Sequence, residues 1–117
     1  MPLDLFCSLS HAIRSIDGTI NGVVDIALGK IGRSRSVVLA VPHFHSLASI
    51  VATSDLVAAA PAEFARLVGD DMGLAVYELP LEIPAPEMWL YWHRRHDGTP
   101  AQVWLRQRVM DAAEVWT

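Results

Sequence analysis

Residues 36–61 constrain the fold more than any other part of this chain. They read SVVLAVPHFHSLASIVATSDLVAAAP. A valine-rich run over 37–41 reads as a strand and stops at Pro42. A polar and aromatic corner follows, His43, Phe44, His45 and Ser46. Leu47, Ala48, Ile50 and Val51 then recur at helical spacing. Thr53-Ser54-Asp55 breaks that helix, and 56–60 is a second apolar run. Strand, corner, helix and strand within this length make a βαβ unit with parallel strands and a right-handed crossover. Groups just past the first strand of such a unit face the ligand crevice, and His43 and Phe44 stand there.

The flanks extend the same alternation. Residues 3–9 form a short amphipathic helix or turn, and 11–16 (HAIRSI) alternate as a strand. Asp17-Gly18 turns the chain, and Thr19 or Asn21 caps a helix over 20–31. Its core stripe is Val23, Val24, Ala27, Leu28 and Ile31, with Ile20 and Ile26 outside it, and Gly32 supplies a left-handed stop. Pro61 suits the first position of a further helix that carries Phe64, Ala65, Leu67, Val68 and Met72 and ends at Gly73. Residues 74–79 (LAVYEL) read as the fourth strand. Pro80, Pro84 and Pro86 stiffen a crossover between lobes, and 87–94 (EMWLYWHR) is an aromatic strand beyond it. Thr99-Pro100-Ala101-Gln102 is a capping box for a last helix whose apolar positions are Ala101, Trp104, Leu105, Val109, Ala112, Ala113 and Trp116. The expected fold class is therefore α/β, a mostly parallel sheet with helices on both faces.

Composition removes several functions. A chain of 117 residues is one domain by length, with enough mass for a core without staples. A net charge of −4 offers no basic field for nucleic acid, and the clusters Lys30, Arg33, Arg35 and Arg94, Arg95 read as solvated ends. Cys7 is the sole cysteine, which fits a reducing cytoplasm and a small buried residue. Residues 36–54 are uncharged, but Pro42, His43 and His45 argue against a membrane span. The hydrophobic fraction of 52% is high for a free-standing domain and points to apolar surface meant for another lobe or subunit. No G-x-S-x-G elbow, P-loop or G-x-G-x-x-G occurs, so neither an enzyme nor a nucleotide cofactor is expected.

The stretches LSHAIRS, GVVDIALGKIG, VVLAVPHF, ATSDLVAAAP and LYWHRRHDGTPAQVWLRQRV resemble the C-terminal part of LysR-type transcriptional regulators. The pair VPHF and WHRR…PAxxWLR is similar to the branch that answers to aromatic compounds. The resemblance implies a periplasmic-binding-protein-like (type II) fold, truncated, with 13–81 as lobe II and 1–12 and 87–117 as remaining segments of lobe I. It implies a small-molecule effector domain, for an aromatic acid or a phenol. DNA would be bound only through a winged helix-turn-helix that this sequence does not contain. It implies a homodimer through helix 20–31 and strand 37–41. The competing expectation is a dimerisation or interaction module without a working effector site, since half of lobe I is missing.

Candidate ligand-binding residues follow from these readings. The His43 imidazole can donate to a carboxylate or phenol oxygen beside a helix N-terminus, and Phe44 can stack on a ring; the plain alternative is a surface or capping histidine. His43 lies in the effector pocket by the resemblance. Ser15 and Ile16 end their strand near the same crevice, although the Ser15 hydroxyl can equally serve the Asp17-Gly18 turn. His11 is placed near the lobe hinge. Trp92 and His93 alternate along their strand, so one of them at most faces the crevice, and Trp92 can be core. His43-x-His45 is half a metal site with no further ligand nearby in sequence, so no metal is expected.

Overall fold

The computed structural model describes residues 1–114, so the expectation for Trp116 lies outside the described residues. The elements run α1 (Leu3–Ser8), β1 (Ser10–Arg14), α2 (Val23–Lys30), β2 (Ser36–Val41), α3 (Phe44–Ala52), α4 (Ala62–Gly69), a 3-10 turn (Arg94–His96) and α5 (Pro100–Glu114). The chain divides into two compact units, Met1–Pro84 and the remainder from Ala85.

In the first unit, β1 and β2 pair in parallel, with Ser10 opposite Ser36 and Arg14 opposite Val41. The register slips once between His11 and Ala12, which leaves Val38 as the extra residue on β2. On its other side β1 meets the chain at Val57. The Ala12 amide donates to the Val57 carbonyl at 2.9 Å and the Val57 amide to Ser10 at 3.1 Å. β1 is thus the inner strand, and His11, Ala12 and Ile13 are buried. Phe6, Val24 and Leu28 form a core cluster, against which Leu3, Cys7, Ala59, Leu81 and Ile83 pack. Leu47 and Ala48 bury the inward face of α3.

Local chemistry explains where the helices stop. Gly32 adopts φ +70° after α2, and the Arg33 amide returns to the Leu28 carbonyl at 2.8 Å, a left-handed glycine stop. Thr53 and Ser54 close α3 by donating their hydroxyls to Ser49 and Ile50 carbonyls at 2.9 and 2.6 Å. Gly22, rather than Thr19 or Asn21, precedes α2. The Asp25 carboxylate accepts its amide at 2.9 Å, while Thr19 is held in the Asp17 turn. Pro61 sits one residue ahead of α4 and offers its carbonyl to the Ala65 amide.

Five expected strands become two. The run 56–60 keeps a single bridge, and neither 74–79 nor 87–94 is a strand. A strand exists only where a neighbour accepts its ladder, so valine and tyrosine content alone does not make one. Leu81 and Ile83 still pack on the core cluster, which holds the end of that segment to the unit without a ladder.

The helix stripe is also narrower than its periodicity suggests. On α2 only Val24 and Leu28 are buried, and Val23 and Ile31 are more than half exposed, as are Ile20 and Ile26. Likewise β2 leaves Val38 and Leu39 exposed on its two faces instead of being covered on both.

The second unit is tied together by one arginine. Arg106 donates to the His96 and Asp97 carbonyls at 3.2 and 2.9 Å and lies 4.4 Å from the centroid of the Trp92 ring. The Trp92 indole N–H donates to Asp97 at 2.7 Å. No described residue of α5 is buried.

Candidate functional site

Parallel pairing brings the carboxyl ends of β1 and β2 to one edge. The ladder continues one step past β1, where the Ser15 amide donates to the Val41 carbonyl at 2.8 Å. This bond sets Ser15 and Ile16 beside Pro42, His43 and Phe44. His43 has extended backbone, φ −126° and ψ 141°, and immediately precedes α3. Its ring is exposed and makes no capping bond to the helix amides, so the capping alternative is not realised. The first amides of α3 point out of the helix at this edge, where the helix dipole favours negative charge.

Phe44 is half-buried and its ring already has company. Phe64 lies 5.4 Å away by centroids, and the Arg14 guanidinium carbon lies 5.2 Å from the Phe44 ring centroid. The ring therefore works as a platform for Arg14, an attraction worth about 0.5–1 kcal/mol at an exposed site. Arg14 also donates through Nε to the Pro42 carbonyl at 3.2 Å, bridging β1 to the corner after β2. Sequence reasoning passed over Arg14. The available signal was an arginine as the last residue of a strand whose carboxyl end is the crevice.

Ser15 takes the turn role. Its hydroxyl donates to Asp17 at 3.1 Å, and the same carboxylate oxygen accepts the Thr19 amide at 3.0 Å and the Thr19 hydroxyl at 2.8 Å. Those bonds, the Thr19 amide first, hold the Asp17 carboxyl below its ordinary range. Ile16 projects outward, 76% exposed.

His11 and Trp92 stand elsewhere. His11 is fully buried, edge-on to Phe6 at 4.6 Å between centroids. One ring nitrogen, Nε2, lies 2.7 Å from the Phe6 carbonyl, and Nδ1 lies 3.4 Å from Arg35 Nη1. A guanidinium only donates, so Nδ1 accepts and the proton sits on Nε2, donating to Phe6. The imidazole is a neutral interior group, and the expectation that it contacts ligand does not survive its burial. Trp92 belongs to the second unit, held there by Asp97 and Arg106.

Behind His11 lies an ion pair that the reading of Arg35 as a solvated end missed. Arg35 donates in a fork to Asp25, Nε to Oδ1 and Nη2 to Oδ2, both at 3.0 Å. The Arg35 side chain is 3% exposed and that of Asp25 16%. Burial pushes the Asp25 carboxyl up, but the Arg35 fork, the Gly22 amide and the Arg35 charge outweigh it and the net shift is downward.

For His11, burial is the largest influence and pushes its pKa down from about 6.5, and the Arg35 charge adds to this. The Phe6 bond and the Asp25 charge oppose it without prevailing. The unfolded chain therefore binds a proton below pH 6.5 that the folded chain refuses. Stability from this group is intact above that value and falls as pH drops through the window below it, down to the depressed folded pKa. The slope there should approach about 1.4 kcal/mol per pH unit at most. Urea titrations between pH 5 and 8 check it, and His11→Gln should flatten the profile in that window.

Among the described residues, no group of three or more His, Cys, Asp or Glu is placed to hold a metal, and no helix is long and apolar enough to cross a membrane. An apolar groove of about 1320 Å³ is lined by Leu47, Val51, Phe64, Val68 and Leu79 among others, and Phe64 is also the ring against Phe44. None of the expected site residues lines it.

A parallel sheet in a mixed α/β unit leaves open groups at its carboxyl edge, the edge at which ligands of open α/β sheets bind. Residues 9–114 match the LysR substrate binding domain, and the chain belongs to that family. Its fold is of the periplasmic-binding-protein type II class. It is 32% identical over 111 residues to the HTH-type transcriptional activator NahR of Pseudomonas putida, covering 95% of this chain and 37% of that protein. It is 34% identical over 111 residues to the HTH-type transcriptional activator NagR of a Ralstonia species, with the same coverage. The solved regulatory domain of MexT, a transcriptional activator in Pseudomonas aeruginosa, superposes with a TM-score of 0.78 at 36% identity, covering 93% of this chain and 55% of that one. The chain thus spans a little over a third of the length of these curated relatives, which are transcriptional regulators.

Proposed function

We propose that this chain is the effector-sensing part of a cytoplasmic transcriptional regulator, and that its effector is a small aromatic acid or phenol. The ligand sits at the carboxyl edge of β1 and β2, against His43, Phe44, Ser15 and Ile16. The observation that carries this reading is the 2.8 Å bond from the Ser15 amide to Val41, which sets the two strand ends side by side below the N-terminus of α3. The resemblance of VPHF and WHRR…PAxxWLR to the aromatic-responsive branch supports the ligand class. In the same reading 13–81 form lobe II, and 1–12 and 87–117 belong to lobe I; the division after Pro84 sets the residues from Ala85 apart, while 1–12 fall in the same unit as 13–81. Ligand that prefers one arrangement of the lobes shifts the population toward it, which is all that signalling requires.

Calorimetric titration with hydroxybenzoates and chlorophenols tests this, and silence across the panel removes the reading. His43→Ala should weaken binding by about threefold to tenfold, the worth of one hydrogen bond. The melting temperature should hold, since the ring packs on nothing that the helix cap needs.

A second property rests on exposed apolar surface. Ile20, Val23 and Ile26 before and on α2, together with Val38 on β2, are each more than half exposed, and β2 is the sheet's outer strand. Such a surface supports self-association about a two-fold axis through α2 and β2. Sedimentation at micromolar concentration should report a dimer, which Ile26→Glu should shift toward monomer without lowering the melting temperature.

A further inference from the structure

Arg14 differs from Arg33 and Arg35, and, unlike the equally exposed Arg66, it is held in place by bonds to its own unit. Arg33 pairs with Asp4 at 2.8 Å and Arg35 with Asp25 at 3.0 Å. Arg14 is exposed, and among the described residues no carboxylate lies within ion-pair distance of it. Yet it is not loose. Its Nε donates to the Pro42 carbonyl at 3.2 Å and its guanidinium carbon lies over the Phe44 ring, 5.2 Å from the centroid. The carboxylate at this edge, Asp17, accepts from Ser15 and Thr19 and makes no ion pair with Arg14. What remains is a pre-oriented fork whose two terminal nitrogens make no bond to the described protein, one residue before Ser15 and beside the His43 corner.

Building on the function proposed above, we infer that Arg14 is the anion anchor of the effector site and selects aromatic carboxylates over neutral phenols. A planar guanidinium matches a carboxylate with two parallel N–H bonds, a geometry that neither an imidazole nor a hydroxyl offers. The stack on Phe44 and the bond to Pro42 remove the freedom such a side chain otherwise loses on binding. His43 then takes a ring substituent rather than the charge.

The test is calorimetry on the full chain with hydroxybenzoates and their uncharged hydroxybenzamides. The native protein should bind the acid more tightly than its amide by about tenfold or more, the range of a charge-assisted bond. Arg14→Gln should abolish that preference by weakening the acid alone, and His43→Ala should weaken acid and amide together. Arg14→Met, which keeps the stem over Phe44 and removes the charge, should behave as Arg14→Gln and serves if that variant does not fold. Acid binding unchanged in both Arg14 variants overturns the inference and leaves the effector site standing. So does an equal loss for acid and amide in both. Failure of both compound classes to bind the native protein overturns the inference and the proposed function together.

Discussion

Asp25→Ala should cost the protein about 3–5 kcal/mol, enough to remove most of the stability of an ordinary small domain. The variant leaves the Arg35 guanidinium, 3% exposed, without its carboxylate. It also withdraws the acceptor for the Gly22 amide at the start of α2. Arg35 lies against His11, whose Nδ1 accepts from it, so the strain of a lone charge reaches the inner strand of the sheet. Replacing both partners, Asp25→Leu with Arg35→Met, should recover most of the loss, because no lone charge remains. About 1 kcal/mol should persist from the missing cap at Gly22. Urea denaturation of the two single variants and the double variant gives the coupling directly, and additive losses would refute it.

How much of this was legible in sequence depended on the range of the interaction. The stop of α2 at Gly32 and the breaking of α3 at Thr53 and Ser54 are local events, and both stand as read. So is the strand-corner-helix order that puts His43 ahead of α3. The strands expected at 74–79 and 87–94 are not local, since each needs a neighbour for its ladder, and neither has one. Arg35 was misread for the same reason, because its partner Asp25 lies ten residues away on another element. His11 looked like a hinge residue by position. Its burial follows from β1 being flanked by β2 on one side and Val57 on the other, which alternation along one strand does not disclose. The Ser15 hydroxyl was open between two roles, and the Asp17 turn took it.

The width of the buried stripe on α2 is the remaining point that periodicity leaves open, and two substitutions two residues apart resolve it. Leu28 is fully buried against Phe6 and Val24, whereas Ile26 is 56% exposed. Leu28→Ala removes methyl groups from a cluster that Leu3, Cys7, Ala59, Leu81 and Ile83 close from outside, so a cavity remains and the loss should be about 2–5 kcal/mol. The same loss should loosen Leu81 and Ile83, which sit on that cluster at the end of the segment that has no ladder. Protease sensitivity between 74 and 84 should therefore rise in this variant. Ile26→Ala deletes a side chain that packs little within one chain and should change stability by less than about 0.5 kcal/mol. Thermal melts of the monomer at low concentration give both numbers. Comparable losses at the two positions would mean that α2 buries a second face, and the surface assigned to self-association would then be interior.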